Sequence, residues 1–265
     1  DVFFKLRLAF DSAEALALST RISETIYYHA LSTSCELAEQ HGAHPAFAET
    51  RAAKQHLQFD LWAEKSCTLD WQALKDRIAT HGLRNSLLIA IAPTASIASI
   101  AGCYECIEPM VSNLFKRETL SGDFLQVNRY LVDELKKLGV WNDQTRDRLK
   151  MSEGSIQDLP DIPDVLKNIY RTAWELPQKA LIDLAAARGP FIDQSQSLNL
   201  FQASPNIGKL SSMYMYAWKK GLKTTYYLRS RPATRISKTT VGKTYTEQEA
   251  LVCSLENPEH CEACQ

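Results

Sequence analysis

Apolar residues recur at helical spacing over much of the chain. After Asp11-Ser12, a pair able to cap a helix, Leu18, Ile22, Ile26 and Ala30 repeat every four residues to about His41, and Gly42 supplies a stop. Asp70 opens a second pattern, with Trp71, Leu74 and Ile78 on one side and Gly82 after the last turn. A third helix is predicted from Ser121-Gly122-Asp123, with Phe124, Val127, Leu131, Leu135 and Leu138 on one stripe and Gly139 at its end. A helical pair follows from Asp164 to Arg188, broken at Pro177, and a last helix spans roughly Ile207 to Lys220. Residues 43–69 read as an excursion with short turns, and 140–162 as a surface helical turn and loop.

Three stretches read as extended. Leu87 to Ala92 is a continuous apolar run of the length expected for a strand buried on both faces. Pro190 to Asp193 and Ser197 to Phe201 form the second. The third is Leu222 to Pro232, rich in threonine and tyrosine, in which Tyr226 and Tyr227 are adjacent. Neighbours on a regular strand point to opposite faces, so these two side chains can act together only if the backbone twists or bulges there. Strands separated by helices predict an α/β layer arrangement with parallel strands. The expected organisation is a folded unit over 1–232 and a polar, mobile tail over 233–265.

Composition narrows the chemistry. The chain has 265 residues, 45% of them apolar, enough for a substantial core. Its 30 basic and 31 acidic residues nearly cancel, which argues against a nucleic-acid or anionic-membrane partner. No apolar run is long enough to span a bilayer, and no signal-peptide pattern is visible at Asp1; the chain reads as a piece of a longer cytoplasmic protein. Seven scattered cysteines suit reduced thiols better than a secreted disulfide framework.

Two CxxC pairs, Cys103/Cys106 and Cys261/Cys264, are candidates for redox or metal chemistry. At Pro93-Thr94-Ala95-Ser96 the apolar run turns into a helix opening with hydroxyl side chains, where free backbone N–H groups could hold an anion; equally, Thr94 or Ser96 could simply cap the helix. A tyrosine pair on its own is ordinarily core packing with satisfied hydroxyls.

Several separated stretches belong together: Arg84-Asn85-Ser86-Leu87-Leu88-Ile89-Ala90 with Pro93-Thr94-Ala95-Ser96, Ile107-Glu108-Pro109 with Ser112-Asn113-Leu114 and Leu120-Ser121-Gly122, Phe191 through Asn199, the Tyr226-Tyr227 strand and the terminal Cys-x-x-Cys. In this order they resemble the catalytic large subunit of class I ribonucleotide reductase. The likeness covers nearly the whole chain but only about the C-terminal third of such a subunit. It implies the C-terminal half of a ten-stranded α/β barrel with flanking helices and a flexible tail. It also implies reduction of ribonucleoside diphosphates to 2′-deoxyribonucleoside diphosphates by a radical mechanism.

The resemblance assigns residue roles too. Pro93, Thr94, Ala95, Ser96 and Ile97 would bind the substrate diphosphate, with Ile97 contributing its backbone alone because the family's eukaryotic pattern has a hydroxyl residue there. Tyr227 and then Tyr226 would carry a radical from the small subunit toward a substrate-activating cysteine. Cys261 and Cys264 would shuttle reducing equivalents from thioredoxin or glutaredoxin. Met213, Tyr216 and Ala217 would help form a groove for the small subunit's C-terminal peptide. A large-subunit homodimer is implied. So are a radical generated by the small subunit's metal cofactor and nucleotide effectors bound upstream, with no cofactor held by this chain itself.

The radical-forming cysteine, its neighbours and the effector sites are missing from the sequence, so the chain alone is expected to be inactive. The competing reading is a non-catalytic helical interaction module stapled by zinc at Cys103, Cys106, Cys261 and Cys264.

Overall fold

The computed structural model describes residues 1–62, 67–119 and 122–231. In chain order the elements are a single turn α1 (Val2–Lys5), α2 (Ala13–His41), α3 (Trp71–His81), α4 (Ala95–Ala101), strands β1 (Leu114–Thr119) and β2 (Gly122–Val127), helices α5 (Arg129–Lys137), α6 (Asp143–Met151), α7 (Asp164–Ile169) and α8 (Gln178–Arg188), then β3 (Leu200–Gln202), α9 (Ile207–Lys219) and β4 (Leu228–Ser230). Three short 3-10 turns fill the excursion between α2 and α3.

The long helix begins and ends where its punctuation predicts. Ser12 accepts a hydrogen bond from the Ala15 amide at 3.1 Å, and Gly42 takes φ +81°, a conformation that costs glycine little. Its buried face is rotated from the expected stripe. Ala15, Ser19, Tyr27, Leu31, Cys35 and Ala38 are buried, whereas Ile22 and Ile26 are exposed along the rim of a cavity of about 390 Å³.

Tyr27, Leu31 and Cys35 meet Phe59, Trp71, Leu74 and Ile78 to form one core. A second core joins α8, β3 and α9, and a third gathers Leu131, Leu135, Leu149, Ile156, Leu159 and Ile162 with α7. The stretch 140–162, expected at the surface, is therefore a helix followed by a loop whose apolar residues are core.

The expected helix over 121–139 is a hairpin followed by a helix. β1 and β2 pair antiparallel from Leu114 opposite Val127 to Thr119 opposite Gly122, and α5 starts only at Arg129, where Asn128 accepts from the Tyr130 and Leu131 amides. Phe124 and Val127 fit helical spacing with Leu131, but the backbone of Gly122–Val127 pairs with Leu114–Thr119, and that cross-strand pairing decides. Asn113 ties the hairpin down, donating to the carbonyls of Gly154 (3.0 Å) and Tyr170 (2.8 Å) while its Oδ1 accepts from Asn128. Gly154 lies so close beneath it, at φ +83°, that a Cβ would stand 2.7 Å from the Asn113 nitrogen.

The run Leu87 to Ala92 is extended but not buried on both faces: Leu87 is 54% exposed. Among the described residues its backbone pairs with the segment 194–197, through bonds from the Gln194 amide to the Ile89 carbonyl, Ile91 to Ser195, and Ser197 to Ile91. The bridge between Ile91 and Gln196 is parallel. Further along, the same segment becomes β3 and pairs in parallel with β4. The described residues are thus mixed α/β with a parallel ladder and one antiparallel hairpin, and they form no closed barrel. Pro190 lies in a 3-10 turn rather than an extended segment, and the regular part of the tyrosine strand is confined to β4. The expected tail, 233–265, lies outside the described residues.

One buried carboxylate sets the angle between α2 and the chain leading into α3. Glu24, 1% exposed, accepts from the Trp71 indole at 2.9 Å, from the Leu69 amide at 3.1 Å and from the Thr68 hydroxyl at 2.7 Å. Burial alone would push its carboxyl up, but these donors more than offset that and hold it below the ordinary value of 4.5. A carboxyl depressed in the folded state stabilises above its unfolded pKa, and the contribution is lost as pH falls through the folded value. Glu24→Gln should cost ~2 kcal/mol at pH 7, and the gap between variant and parent should narrow at pH 3; denaturant unfolding at the two pH values checks this.

Candidate functional site

The tyrosine pair sits where the parallel ladder loses its regular register. The Tyr226 amide donates to the Leu198 carbonyl at 2.7 Å, and the Leu200 amide donates to the carbonyl of Tyr227 at 2.9 Å. In an undisturbed parallel ladder that second bond would go to Tyr226. Two residues, Tyr226 and Tyr227, therefore stand against one, Asn199, which is the arrangement of a bulge. The orphaned Tyr227 amide is met by the Asn199 side-chain Oδ1 at 3.2 Å.

This local geometry brings neighbouring side chains together. The two rings lie with centroids 4.1 Å apart at 55°, and their phenol oxygens are 3.3 Å apart. The hydrogen bond with Tyr227 pushes the Tyr226 phenol above its ordinary pKa. Both side chains are about half exposed, at 51% and 55%. Arg229 places its guanidinium 5.7 Å from the Tyr227 ring centre, while Arg231 lies over Trp174 and pairs with Glu153 at 3.1 Å.

Asn199 is itself held. Its amide donates to Oε1 of Glu108 at 2.7 Å. Glu108 belongs to the loop after α4, and its charge opposes the effect of burial on Arg188, whose guanidinium is pushed down to about 10. Arg188 donates to the Ser19 hydroxyl and to Gln196. Neither Asn199 nor Glu108 was assigned a role on sequence grounds; the available signal was a polar residue within an otherwise apolar run at each place.

The other expected anion site is the start of α4. Thr94 occupies the N-cap position with φ +55°, and its side chain makes no cap hydrogen bond. The first helical amides, from Ala95 to Ile97, have no intrahelical acceptor by geometry, since the Ala98 amide is the first to reach back, to Thr94 at 2.7 Å. Ala95 and Ser96 face a cavity of about 660 Å³ whose other walls include Ser99, Tyr104, Gln126 and Arg129. Ile97 is 70% exposed. The tyrosine pair does not line this cavity; the two places are linked through the 103–109 loop, where Cys106 bonds to Pro93 and Glu108 to Asn199.

Cys103 and Cys106 carry free thiols, which donate to the carbonyls of Ala98 at 3.6 Å and Pro93 at 3.4 Å. Among the described residues no group of histidine, cysteine, aspartate and glutamate is arranged to hold a metal ion, and no helix is long and apolar enough to cross a membrane. Cys261 and Cys264, the second half of both the shuttle and the zinc readings, lie outside the described residues. Of the groove residues, Met213 and Ala217 are buried in the second core, and the Tyr216 hydroxyl donates to Asp183 at 2.6 Å. The exposed face of α9 carries Tyr214, Met215 and Trp218 instead.

Burial, the Glu108 carboxylate and Glu105 together push the Cys106 thiol up to about 12, with Arg229 opposing. At pH 9 only about one molecule in a thousand would hold this residue as thiolate. Iodoacetamide should leave Cys106 essentially unlabelled at pH 9 in the native state and label it on unfolding, as read by peptide mass mapping.

The model for the ribonucleotide reductase barrel domain matches residues 1–228. The chain is 46% identical over 283 residues to the zebrafish (Danio rerio) ribonucleoside-diphosphate reductase large subunit, covering 100% of this chain and 36% of that protein. It is 50% identical over 236 residues to the Dictyostelium discoideum large subunit, covering 88% and 27%. Among solved structures it resembles the Actinobacillus ureae class Id ribonucleotide reductase alpha subunit, with a TM-score of 0.67 and 26% identity over 87% of this chain and 37% of that one. The chain thus spans about a third of the length of these relatives. On the match across residues 1–228, the chain belongs to the ribonucleotide reductase family, in its barrel domain.

Proposed function

We propose that this chain is the C-terminal part of a class I ribonucleoside-diphosphate reductase large subunit, an oxidoreductase that makes deoxyribonucleotides for DNA synthesis. The observation that carries the reading is the contact between the Tyr226 and Tyr227 phenols, produced by a bulge that has no evident packing purpose. Oxidation of a phenol is coupled to loss of its proton. Two phenols in hydrogen-bond contact can therefore exchange an electron and a proton together: as Tyr226 gives up both, the Tyr227 radical is refilled. The net result is movement of a hole without net change in charge. Such a relay suits a path from the metal cofactor of a small subunit, through Tyr227 and Tyr226, to a cysteine supplied by the remainder of the large subunit.

Within the same reading the chain forms the C-terminal half of a ten-stranded α/β barrel. The turn at Pro93, Thr94, Ala95, Ser96 and Ile97 takes the diphosphate of the substrate, its amides supplying hydrogen bonds to anionic oxygens. Cys261 and Cys264 reduce the active-site disulfide by thiol–disulfide exchange. A thiolate of the pair attacks, a mixed disulfide forms, the second thiol resolves it, and the pair leaves oxidised until thioredoxin or glutaredoxin restores it. The working assembly is a large-subunit dimer with its small subunit, in the cytoplasm, and the isolated chain has no turnover.

In the complete large subunit assayed with its small subunit, Tyr227→Phe and Tyr226→Phe should each lower turnover by at least about a hundredfold while substrate affinity stays within about twofold, since phenylalanine keeps the ring and loses the oxidisable hydroxyl. Equal turnover in either variant would remove the pair from the path. Replacing Cys261 and Cys264 by serine should abolish thioredoxin-driven turnover yet leave the pre-reduced enzyme able to complete a first turnover, a difference read by a single-turnover assay.

A further inference from the structure

The segment 194–202 is a rail with a different neighbour on each edge. On one edge it pairs with Ile89 to Ile91, and the last of those bonds runs from the Ser197 amide to the Ile91 carbonyl. The chain then turns away at Pro93. The next amide on that edge is Asn199's, which would have no strand partner. Glu108 fills the vacancy, its carboxylate accepting from that amide at 2.7 Å, within the range of a charge-assisted bond. Asn199 is 3% exposed, so an unmet amide there would be a buried one.

On the opposite edge, the Asn199 side chain accepts from the Tyr227 amide and so satisfies the residue that the bulge leaves over. One residue is therefore pinned from both edges: by Glu108 at its backbone and by Tyr227 at its side chain. If Asn199 shifts toward the empty edge, the Tyr227 amide loses its acceptor. The simplest relief is a return to regular register, which would send the two rings to opposite faces.

We infer that Glu108 is a positioning residue for the tyrosine pair, acting through Asn199 to hold the bulge that keeps the two phenols in contact. The catalytic consequence rests on the radical-path reading given above; the structural one does not. Glutamine at position 108 retains an acceptor oxygen for the Asn199 amide, whereas leucine fills similar space and has none. The requirement is for an acceptor on that edge.

The test uses the complete large subunit with its small subunit. Glu108→Leu should raise hydrogen exchange at the Tyr227 amide about tenfold or more and lower kcat about tenfold with KM for the nucleotide substrate unchanged, and Glu108→Gln should restore both to within about threefold of the parent. Unchanged exchange at Tyr227 in Glu108→Leu, or a glutamine variant as impaired as the leucine one, would overturn the inference. Should Glu108→Leu fail to fold, Glu108→Ala, which likewise removes the acceptor for the Asn199 amide without overfilling the site, is read against Glu108→Gln in the same way. Normal turnover in Tyr227→Phe would defeat the radical-path reading alone, because the exchange measurement judges Glu108 without reference to turnover.

Discussion

The hydrogen bonding of residues 193–202 on both edges is the constraint around which the rest is arranged. Asp193 begins it, its two carboxylate oxygens accepting from the Leu88 and Ile89 amides at 2.9 and 2.8 Å. Lys223 closes the other side, donating to the carbonyls of Ile192 and Asp193. Between them run the bonds to Ile89 and Ile91 on one edge and to Tyr226 and Tyr227 on the other. Phe191 and Leu198, just before and within this rail, enter two different cores, so the segment also couples the α2/α3 packing to that of α8 and α9. A backbone element tied in this way can hold a local irregularity, because relaxing the bulge means breaking bonds that several other segments share.

The tyrosine geometry follows from that constraint and from a count of donors. An extra residue in a strand leaves an amide without a ladder partner, and a buried or half-buried amide needs an acceptor. Asparagine supplies one from within the opposing strand, with a side chain short enough to be held in place by its own backbone. Glutamate 108 then resolves the deficit that Asn199 carries on its far edge. The chain of partners runs outward from the rings to a loop that also touches Pro93, the first residue of the candidate phosphate turn. The bond from the Asn199 amide to Glu108 ties that loop to the strand that pairs with Tyr226 and Tyr227.

Local punctuation was readable in the sequence, and non-local pairing was not. Ser12, Gly42, Asp70 and Gly82 mark the ends of α2 and α3, because caps and positive-φ glycines act within one turn. The adjacency of Tyr226 and Tyr227 announced that a bulge would be needed if the rings were to meet. Its means were hidden, since Asn199 lies 28 residues from Tyr227 and Glu108 lies 91 from Asn199. The hairpin at β1 and β2 was missed for a related reason: spacing is a one-strand signal, whereas strand formation is decided by a partner. The Leu87 to Ala92 run shows the converse, an apolar composition suited to two covering layers in a segment that is partly exposed.

That last mismatch bears on the proposed assembly. Leu87, Ile97 and Ile100 are 54%, 70% and 88% exposed, and all three belong to the segment that leads into and forms α4. Apolar side chains left in water forgo roughly 25 cal/mol for each Å² that could be covered, a loss a folded chain ordinarily avoids by clustering them. Tyr226 and Tyr227 are exposed too, and a phenol radical lasts only where water and reductants are kept away. On the proposed reading both are covered by the remainder of the large subunit. The relatives are about three times as long as this chain, so each contains residues enough to supply that cover. The segment leading into α4 and the tyrosine pair then both face the rest of the large subunit, the exposed apolar residues helping to fix that join.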